Sequence, residues 1–508
     1  MSATHDVATP GPEVGEGTNS LATDVLQSVR NASTLGLSLL GTWAIALIVR
    51  IFLPRHLGPA AFGDFQFADS FTATAFVFTG LGIETYVRKE VSTRSDHATD
   101  FFGGTALARL AISALVMAAA LFGLARSGKP VAIQHLVLLL GIAQVLVTLN
   151  LTYGALLHAV GRVGGLSMLN IVTKILWGGG IVFAFALGGG VMSVAGAMLA
   201  SEAVRTAGLA MLTRRHMGLR FRVNLAATRR VVAAALPFYV ATLAIAIYSK
   251  IDVSIMAYQT TSEEVGWYGA ASTLAGMAML ISPLIGWVLL PLSSRAAARS
   301  RDELRVVSRR AMELVLAASF PLSLFMYLAA EVIVRTLFGA PYAPAVMSMR
   351  IQAPVFVLTY VAIVSGSLLI RIERGWAVTW ISVAGMIASP LLNVVLIPMG
   401  LRHFGRGGAG AGAATALVCT ELATTVAMTW LLRGLAFDRR GVTAVAKMVV
   451  VCLGVVALDR MLMPMGPARL VLDGVAYLAG VVTWGALDVG GAIAFLRNAR
   501  SAGARAEP

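Results

Sequence analysis

Charged residues are scarce in this chain, and cysteine is nearly absent. Asp, Glu, Lys and Arg make up 13% of its 508 residues, whereas soluble domains carry about 25%. Hydrophobic residues make up 57%, and the mean hydropathy is +0.80. A water-soluble protein of this length could not bury so much apolar surface, so soluble enzymes, fibrous proteins and disordered chains are excluded. The sequence therefore predicts an all-α protein solvated by lipid.

Residues for catalysis or metal binding are also scarce. The two cysteines, Cys419 and Cys452, lie in apolar segments and form no CxxC pair, and neither a DxD nor an HExxH motif occurs. We therefore expect no enzyme activity, no metal site and no cofactor. A net charge of +15 would suggest nucleic acid in a soluble protein. In a membrane chain it first predicts topology, and no nucleic-acid partner is expected.

Apolar runs of roughly 20 residues, separated by short polar breaks, fill most of the chain, and each can cross ~30 Å of hydrocarbon. Fourteen spans are predicted, at 33–53, 63–86, 104–125, 131–159, 164–186, 191–213, 231–257, 267–291, 311–333, 346–370, 376–398, 410–432, 442–460 and 470–496. The predicted organisation is a disordered tail (1–29), a six-helix bundle (30–213), a basic linker (214–230), a second six-helix bundle (231–432), two further helices (433–496) and a tail (497–508).

Basic residues lie mainly in the segments predicted to be cytoplasmic. Those segments hold 25 Lys and Arg residues, and the segments predicted to be external hold 8. One missed helix would invert every later loop and destroy this asymmetry, so the positive-inside rule favours the count of fourteen. The sequence thus predicts a multi-pass protein of the cytoplasmic (inner) membrane with both termini in the cytoplasm.

Two segments that lie six predicted helices apart share a pattern. PAAFGDFQFADS at Pro59–Ser70 aligns without gaps with SEEVGWYGAAST at Ser262–Thr273, which pairs Gly63 with Gly266. Each segment is expected to be an external loop that enters the next helix. Because six is an even number, the two bundles would be parallel repeats related by an axis along the membrane normal.

Ionisable residues inside the predicted spans are the candidate functional residues, because each costs about 2.5–3.5 kcal/mol to insert. Lys250 and Asp252 would point about 200° apart on one helix, so at least one faces a cavity, or the helix is distorted. Arg50 lies at a similar depth in the repeat-related helix and either lines the cavity or reaches the outer interface. Two basic residues on repeat-related helices would flank the axis between the halves, so Arg50 and Lys250, with Asp252, are predicted to line the substrate cavity. Basic residues in such a cleft favour anions, and Arg suits phosphate.

A second group of intramembrane charges is assigned either to coupling or to structural pairing. Its members are Glu84, Arg88, Lys174, Glu202, Arg205, Arg350 and Glu421. Glu84 with Arg88, and Glu202 with Arg205, are spaced for pairing along one helix face. Lys174 and Glu202 would lie at similar depth, so their double reversal is predicted to retain more transport than either single reversal. Asp252 and Glu421 are the candidates for binding a coupling ion, either a proton or sodium, although Glu421 could equally be a buried, satisfied carboxylate.

Three segments carry a family pattern. They are Leu53–Ser92, which contains LGPAAFG; Ser249–Ser272, which begins SKIDVS; and LLNVVLIPMGLRHFGRGGAGAGAATALV at Leu391–Val418. Together they resemble oligosaccharide-lipid flippases, the polysaccharide-transporter (Wzx-like) branch of the multidrug/oligosaccharidyl-lipid/polysaccharide exporter superfamily. The LRHFGRGGAG stretch is longer than usual for this family, and it either caps the outer mouth or is a flexible loop.

The resemblance implies MATE-like, V-shaped halves of six helices each around a central cavity with alternating access. It implies a flippase for a polyprenyl-diphosphate-linked oligosaccharide used in exopolysaccharide or O-antigen-like glycan export. The implied partners are this glycan, membrane lipids, and polysaccharide polymerase and glycosyltransferases. A cation-coupled multidrug antiporter of the same superfamily is the alternative. A membrane glycosyltransferase or polymerase, and a lipid-anchored scaffold, are more remote.

Overall fold

A computed structural model describes residues 14–80, 98–160, 163–218, 222–277, 293, 299–432 and 434–485. These residues form helices and no strand. The α-helices are α1 Val14–Phe76, α2 Ala98–Arg126, α3 Val131–Ala159, α4 Val163–Ala186, α5 Val191–Met217, α6 Leu225–Tyr248, α7 Ile251–Gln259, α8 Ser262–Met277, α9 Arg301–Leu328, α10 Ala330–Leu337, α11 Ala345–Gln352, α12 Val355–Arg371, α13 Gly375–Phe404, α14 Gly408–Leu431, α15 Arg439–Leu462 and α16 Arg469–Thr483. We call α1–α5 the N half and α6–α14 the C half.

Lipid-facing surface is evident along these helices. Within the described residues, nine helical stretches are long and apolar enough to cross a membrane, and the count of fourteen spans stays a prediction. Large apolar side chains point outward, with Leu115 71% exposed, Trp430 78% and Leu453 64%. Soluble monomers rarely expose so much contiguous apolar surface. The protein is therefore a multi-pass membrane protein.

Helix boundaries differ from the prediction at the first tail and the linker. The tail predicted to be disordered over 1–29 is helical from Val14, because its apolar residues recur at helical spacing. The linker predicted over 214–230 is shorter, because α5 continues to Met217 and α6 begins at Leu225. Gly218 ends α5 in the left-handed conformation (φ 57°), the usual role of glycine after a helix.

α1 changes direction at Gly58, whose φ of 73° and ψ of 169° are not helical. Pro54 and Pro59 flank this kink, and proline weakens helical continuity on both sides. The segment predicted to be a loop after Pro59 is instead the helical second limb of α1, and its repeat partner forms the start of α8. We call the end of the bundle that carries this kink the Gly58 end. It also carries the α2–α3, α7–α8 and α13–α14 turns, and it is the end predicted to be external.

The two repeat segments pack directly against each other. A side chain at Gly63 would overlap the carbonyl oxygen of Ser262, and one at Gly266 would overlap the carbonyl oxygen of Pro59. Since Pro59 and Ser262 are aligned positions, each half makes the same contact on the other. This reciprocity is what an axis between parallel repeats requires, and it confirms the predicted repeat.

The glycine-rich stretch near 401–410 is neither a flexible loop nor an insertion between helices. α13 continues to Phe404, and α14 starts at Gly408, which leaves a three-residue turn at Gly405–Gly407. Beside this turn, Gly400 and Gly408 approach so closely that a side chain on either would overlap the other's carbonyl oxygen. The glycines therefore serve close helix packing.

Polar contacts hold the remaining helices together. The fully buried Arg109 on α2 donates to the carbonyl oxygens of Gly80 at 2.5 Å and Thr148 at 2.7 Å, and to the Thr152 hydroxyl. It ties α2 to α3 and to the short turn that follows α1. α15 and α16 form an antiparallel hairpin in which Arg469 Nε donates to Asp459 Oδ1 at 2.6 Å, and this hairpin packs on α9.

Candidate substrate cavity and intramembrane charges

The helix predicted over 231–257 is broken at Ser249–Lys250. α6 ends at Tyr248 and α7 begins at Ile251, with Lys250 between them at φ −137° and ψ −7°. The alternative of a distorted helix, raised by the two-residue spacing of Lys250 and Asp252, is thus confirmed. The break lets the two side chains point to different environments.

Lys250 lies between the halves. Its Nζ is 3.8 Å from Asp69 Oδ2 on the second limb of α1, and the Lys250 side chain is 46% exposed. This ion pair joins the two repeats across the interface where the cavity is predicted. Because both side chains are partly exposed, the pair itself contributes little stability.

Asp252 points into the C half and is buried. It accepts hydrogen bonds from the Tyr268 hydroxyl and from the Val253 amide at 2.7 Å. Tyr268 also contacts Ser272, whose hydroxyl accepts from Gln352 Nε2 at 3.1 Å. Asp252 therefore belongs to a polar cluster inside the C half rather than to the exposed interface.

Glu421 contacts the α6 side of the same break. Tyr248, the last residue of α6, hydrogen-bonds to the Glu421 carboxylate, and Thr359 Oγ1 lies 3.4 Å from Glu421 Oε2. Ser389 on α13 contacts the Tyr248 carbonyl oxygen at 3.4 Å. The two buried carboxylates Asp252 and Glu421 thus hold residues on opposite sides of the break.

The N half contains a separate polar network across α3, α4 and α5. Asn150 Nδ2 donates to Glu202 Oε2 at 2.9 Å, and Arg205 Nη1 lies 3.6 Å from the same oxygen. Arg205 Nη2 donates to Asn170 Oδ1 at 2.9 Å. The predicted Glu202–Arg205 pairing is confirmed. Arg205, not Lys174, is the cation that forms an ion pair with Glu202.

Two further basic residues lie beside this network. Lys174 interacts electrostatically with Glu202, Arg205 and Arg50, and its Nζ stands 4.8 Å from the Trp177 ring centroid. Arg50 is exposed on α1. The structure places Arg50 with Lys174, whereas Lys250 has its contact with Asp69. Their joint role in one cavity stays a prediction.

The other predicted charges have different surroundings. Arg350 on α11 is half-buried, with Cζ 5.9 Å from the Tyr327 ring centroid in the C half. Glu84 and Arg88 lie outside the described residues, so their predicted pairing is untested.

A contact between the halves closes part of the Gly58 end. Lys129, in the α2–α3 turn, donates from Nζ to the Ala257 carbonyl oxygen at 2.5 Å. The same Nζ is 5.1 Å from the Phe67 ring centroid and 4.7 Å from that of Tyr258. Burial lowers the pKa of Lys129 from its usual value, and Asp64 opposes that shift. We call Lys129, Phe67, Ala257 and Tyr258 the Lys129 bridge.

Sequence reasoning missed several residues of these sites. The tyrosines at 248 and 268 and the asparagines at 150 and 170 carry no charge, so the pattern of ionisable groups within spans does not identify them. Asp69 was read only as part of a repeat. A signal was present, because Asp69 aligns with Ser272 and Phe65 with Tyr268.

Comparisons with known proteins agree with this architecture. A model of the family described as polysaccharide biosynthesis protein matches residues 28–297. A comparison with curated proteins found no match. The fold is similar to the inward closed conformation of the lipid II flippase MurJ, with a TM-score of 0.70, 10% identity, and coverage of 89% of this chain and 98% of that chain.

Multidrug transporters also share the fold. One is an inward-facing MATE family transporter of the MOP superfamily, with a TM-score of 0.61, 16% identity, and coverage of 78% of this chain and 94% of that chain. Another is the Vibrio cholerae MATE transporter VcmN in the bent form, with a TM-score of 0.51, 17% identity, and coverage of 82% and 98%. At these identities the likeness shows a common fold and leaves the transported substrate open.

Proposed function

Because the chain belongs to the polysaccharide biosynthesis protein family, we propose that it is a flippase for a polyprenyl-diphosphate-linked oligosaccharide. It would move this substrate across the cytoplasmic membrane by alternating access, for exopolysaccharide or O-antigen-like glycan export. The family match over residues 28–297 carries the proposal, and the fold shared with MurJ supports it. Glycosyltransferases would then supply the substrate, and a polymerase would consume it.

The Lys250–Asp69 pair gives the diphosphate a place to bind. Lys250 is exposed between the halves, and its present partner is a carboxylate 3.8 Å away. An exposed pair of this kind is worth about 0–1 kcal/mol, so a diphosphate can replace Asp69 at little cost. Arg50 and Lys174 add positive charge in the N half, and Arg in particular suits phosphate oxygens.

Coupling to protons or sodium would act through the buried carboxylates. Asp252 and Glu421 hold hydrogen bonds on opposite sides of the α6–α7 break, through Tyr268 and Tyr248. A proton or cation at either carboxylate would change these bonds and so alter the angle at the break. Glu202 is the corresponding candidate in the N half, where it is already neutralised by Arg205.

The test is flipping by the purified chain in liposomes loaded with a fluorescent polyprenyl-diphosphate oligosaccharide. We expect Lys250→Ala to reduce the rate at which the glycan becomes accessible to an impermeant glycosidase by at least about tenfold, because one favourable interaction with the diphosphate is lost. Lys447→Ala is the matched control, since Lys447 lies in the α15–α16 hairpin and donates to Trp484. No flipping by the unaltered chain, or equal rates in both variants, contradicts the proposal.

A cation-coupled multidrug antiporter is the second candidate. Its support is the MATE fold together with the buried carboxylates Asp252 and Glu421, which are the kind of group that binds cations inside a bilayer. The same liposome assay distinguishes the two functions. Uptake of cationic dyes driven by a proton or sodium gradient, without flipping of the lipid-linked glycan, would favour the antiporter.

A further inference from the structure

A pocket of about 750 Å³ opens at the Gly58 end, on the C half. It lies between the α7–α8 turn and the end of α13, outside the interface that holds Lys250. Ligand pockets of this size are common in proteins, and the transport mechanism above does not use this one. Its lining consists of Tyr258, Gln259, Thr260, Thr261, Glu263, Glu264, Trp267, Leu401, Gly405 and Arg406.

The lining has the chemistry that recognises sugars. Tyr258 is 48% exposed and contributes an aromatic ring to the lining. Around it stand one amide, two hydroxyls, an exposed carboxylate and an exposed guanidinium, from Gln259, Thr260, Thr261, Glu263 and Arg406. Sugar hydroxyls both donate and accept hydrogen bonds, and the C–H face of a pyranose packs on an aromatic ring. Because the lining carries both a negative and a positive charge, it does not favour a bare phosphate. Its polar side chains do not suit an acyl chain.

Buried contacts fix the shape of this pocket. Glu264 is 4% exposed, and its Oε1 accepts a hydrogen bond from the Gly407 amide at 2.6 Å. Gly407 has φ of 82° and packs on the Pro344 carbonyl, so a side chain there would be strained. The α13–α14 turn is therefore held in one conformation, and it carries Arg406 with its Cζ 5.2 Å from the Trp267 ring centroid.

Tyr258 belongs both to this pocket and to the Lys129 bridge. Its ring meets Phe67 of the N half edge-on at 5.9 Å, and Lys129 Nζ lies 4.7 Å from its centroid. A ligand packed on Tyr258 must therefore share that ring with the contacts that join the halves. Binding in the pocket and opening of the Gly58 end are linked through one side chain.

We propose that this pocket is a carbohydrate-binding subsite, which takes the glycan of the lipid-linked substrate at the Gly58 end and weakens the Lys129 bridge when occupied. The subsite rests on the proposed flippase function for the source of its ligand. It deepens that function, because it assigns the glycan a site separate from the diphosphate site at Lys250.

The binding test uses the full chain in nanodiscs and the water-soluble oligosaccharide released by mild acid from the host cell's polyprenyl-linked lipid. Affinity is measured by isothermal titration. We expect the double variant Gln259→Ala/Glu263→Ala to bind about tenfold more weakly, because two polar groups that contact the glycan are lost. Arg402→Ala, an exposed change outside the pocket, is the control and should bind as the unaltered chain does.

The linkage test places spin labels on Arg126→Cys and His403→Cys, one on each half near the Gly58 end, after Cys419 and Cys452 are replaced by Ala. Added oligosaccharide should lengthen the distance between the labels, and Lys129→Met should lengthen it without ligand. Unchanged affinity in the double variant overturns the subsite, and an unchanged distance overturns the linkage. A chain that flips the lipid-linked glycan but binds no free oligosaccharide disproves the subsite alone. A chain that binds oligosaccharide but does not flip the lipid disproves the proposed function and leaves the binding site.

Discussion

The spacing of charged residues along the sequence predicts only some of the contacts that their side chains make. Glu202 pairs with Arg205 one turn away, as its spacing predicted, but also binds Asn150 on another helix. Lys174 stands over Trp177 beside them. Asn150 carries no charge, so the pattern of charged residues could not identify it as a partner of Glu202. Similar depth in the membrane therefore pointed to Lys174 instead.

The double reversal Lys174→Glu/Glu202→Lys should therefore fail to rescue transport. A lysine at 202 would lie against Arg205 and lose the hydrogen bond from Asn150, whichever residue occupies 174. Like charges buried in contact are costly. The measurement compares the flipping rate of the double variant with the rates of the two single variants. Expression level and monodispersity are the controls for folding. A double variant clearly faster than both singles would show that Lys174 is the functional partner after all.

Helices in this protein pack at distances that depend on glycine at particular crossings. α8 meets the second limb of α1 where Gly266 faces the backbone of Pro59. Most helix positions followed from hydropathy, and α3 coincides with its predicted span at 131–159. The break at Ser249–Lys250 was one of two alternatives that the spacing of Lys250 and Asp252 left open, and the helical limb after Gly58 was predicted to be a loop.

Gly266→Ala should destabilise the protein by about 1–3 kcal/mol, because the added methyl group overlaps the Pro59 carbonyl oxygen and must push the halves apart. Gly276→Ala on the same helix is the matched control, since nothing among the described residues lies within 4 Å of its new methyl group. Thermal unfolding midpoints in detergent should fall for the first variant and stay level or rise slightly for the second. Equal midpoints would mean that the crossing is looser than described.

At the scale of the whole molecule, the halves are joined near the Gly58 end by several polar contacts. Ser262 Oγ donates to Asp64 Oδ1 at 2.6 Å, and Tyr342 on the C half donates to the Pro54 carbonyl oxygen at 2.8 Å. The alternating access proposed above would require these contacts to separate. The parallel repeat and the family could be recognised from sequence, but the contacts that close this end could not, since their residues are far apart in the chain.

A covalent link at this end should stop transport. In a background without Cys419 and Cys452, oxidation of Asp64→Cys/Ser262→Cys is expected to abolish flipping, and a reductant should restore it. The reason is that the bond prevents the Gly58 end from opening. Each single cysteine variant, treated in the same way, serves as the control. Transport that continues in the fully oxidised double variant would show that the substrate leaves by another route.

The tight α13–α14 crossing has a mechanical consequence. Gly400 and Gly408 bring two helix backbones into direct contact, and Glu264 fastens their turn to α8. Because so little side-chain volume separates them, we expect α8, α13 and α14 to move together as one rigid unit. In the proposed transport cycle, bending would then fall at Ser249 and Lys250, where α6 and α7 are not continuous. A substrate-binding lysine would thus sit on the pivot itself, so that charge neutralisation and bending occur at a single point.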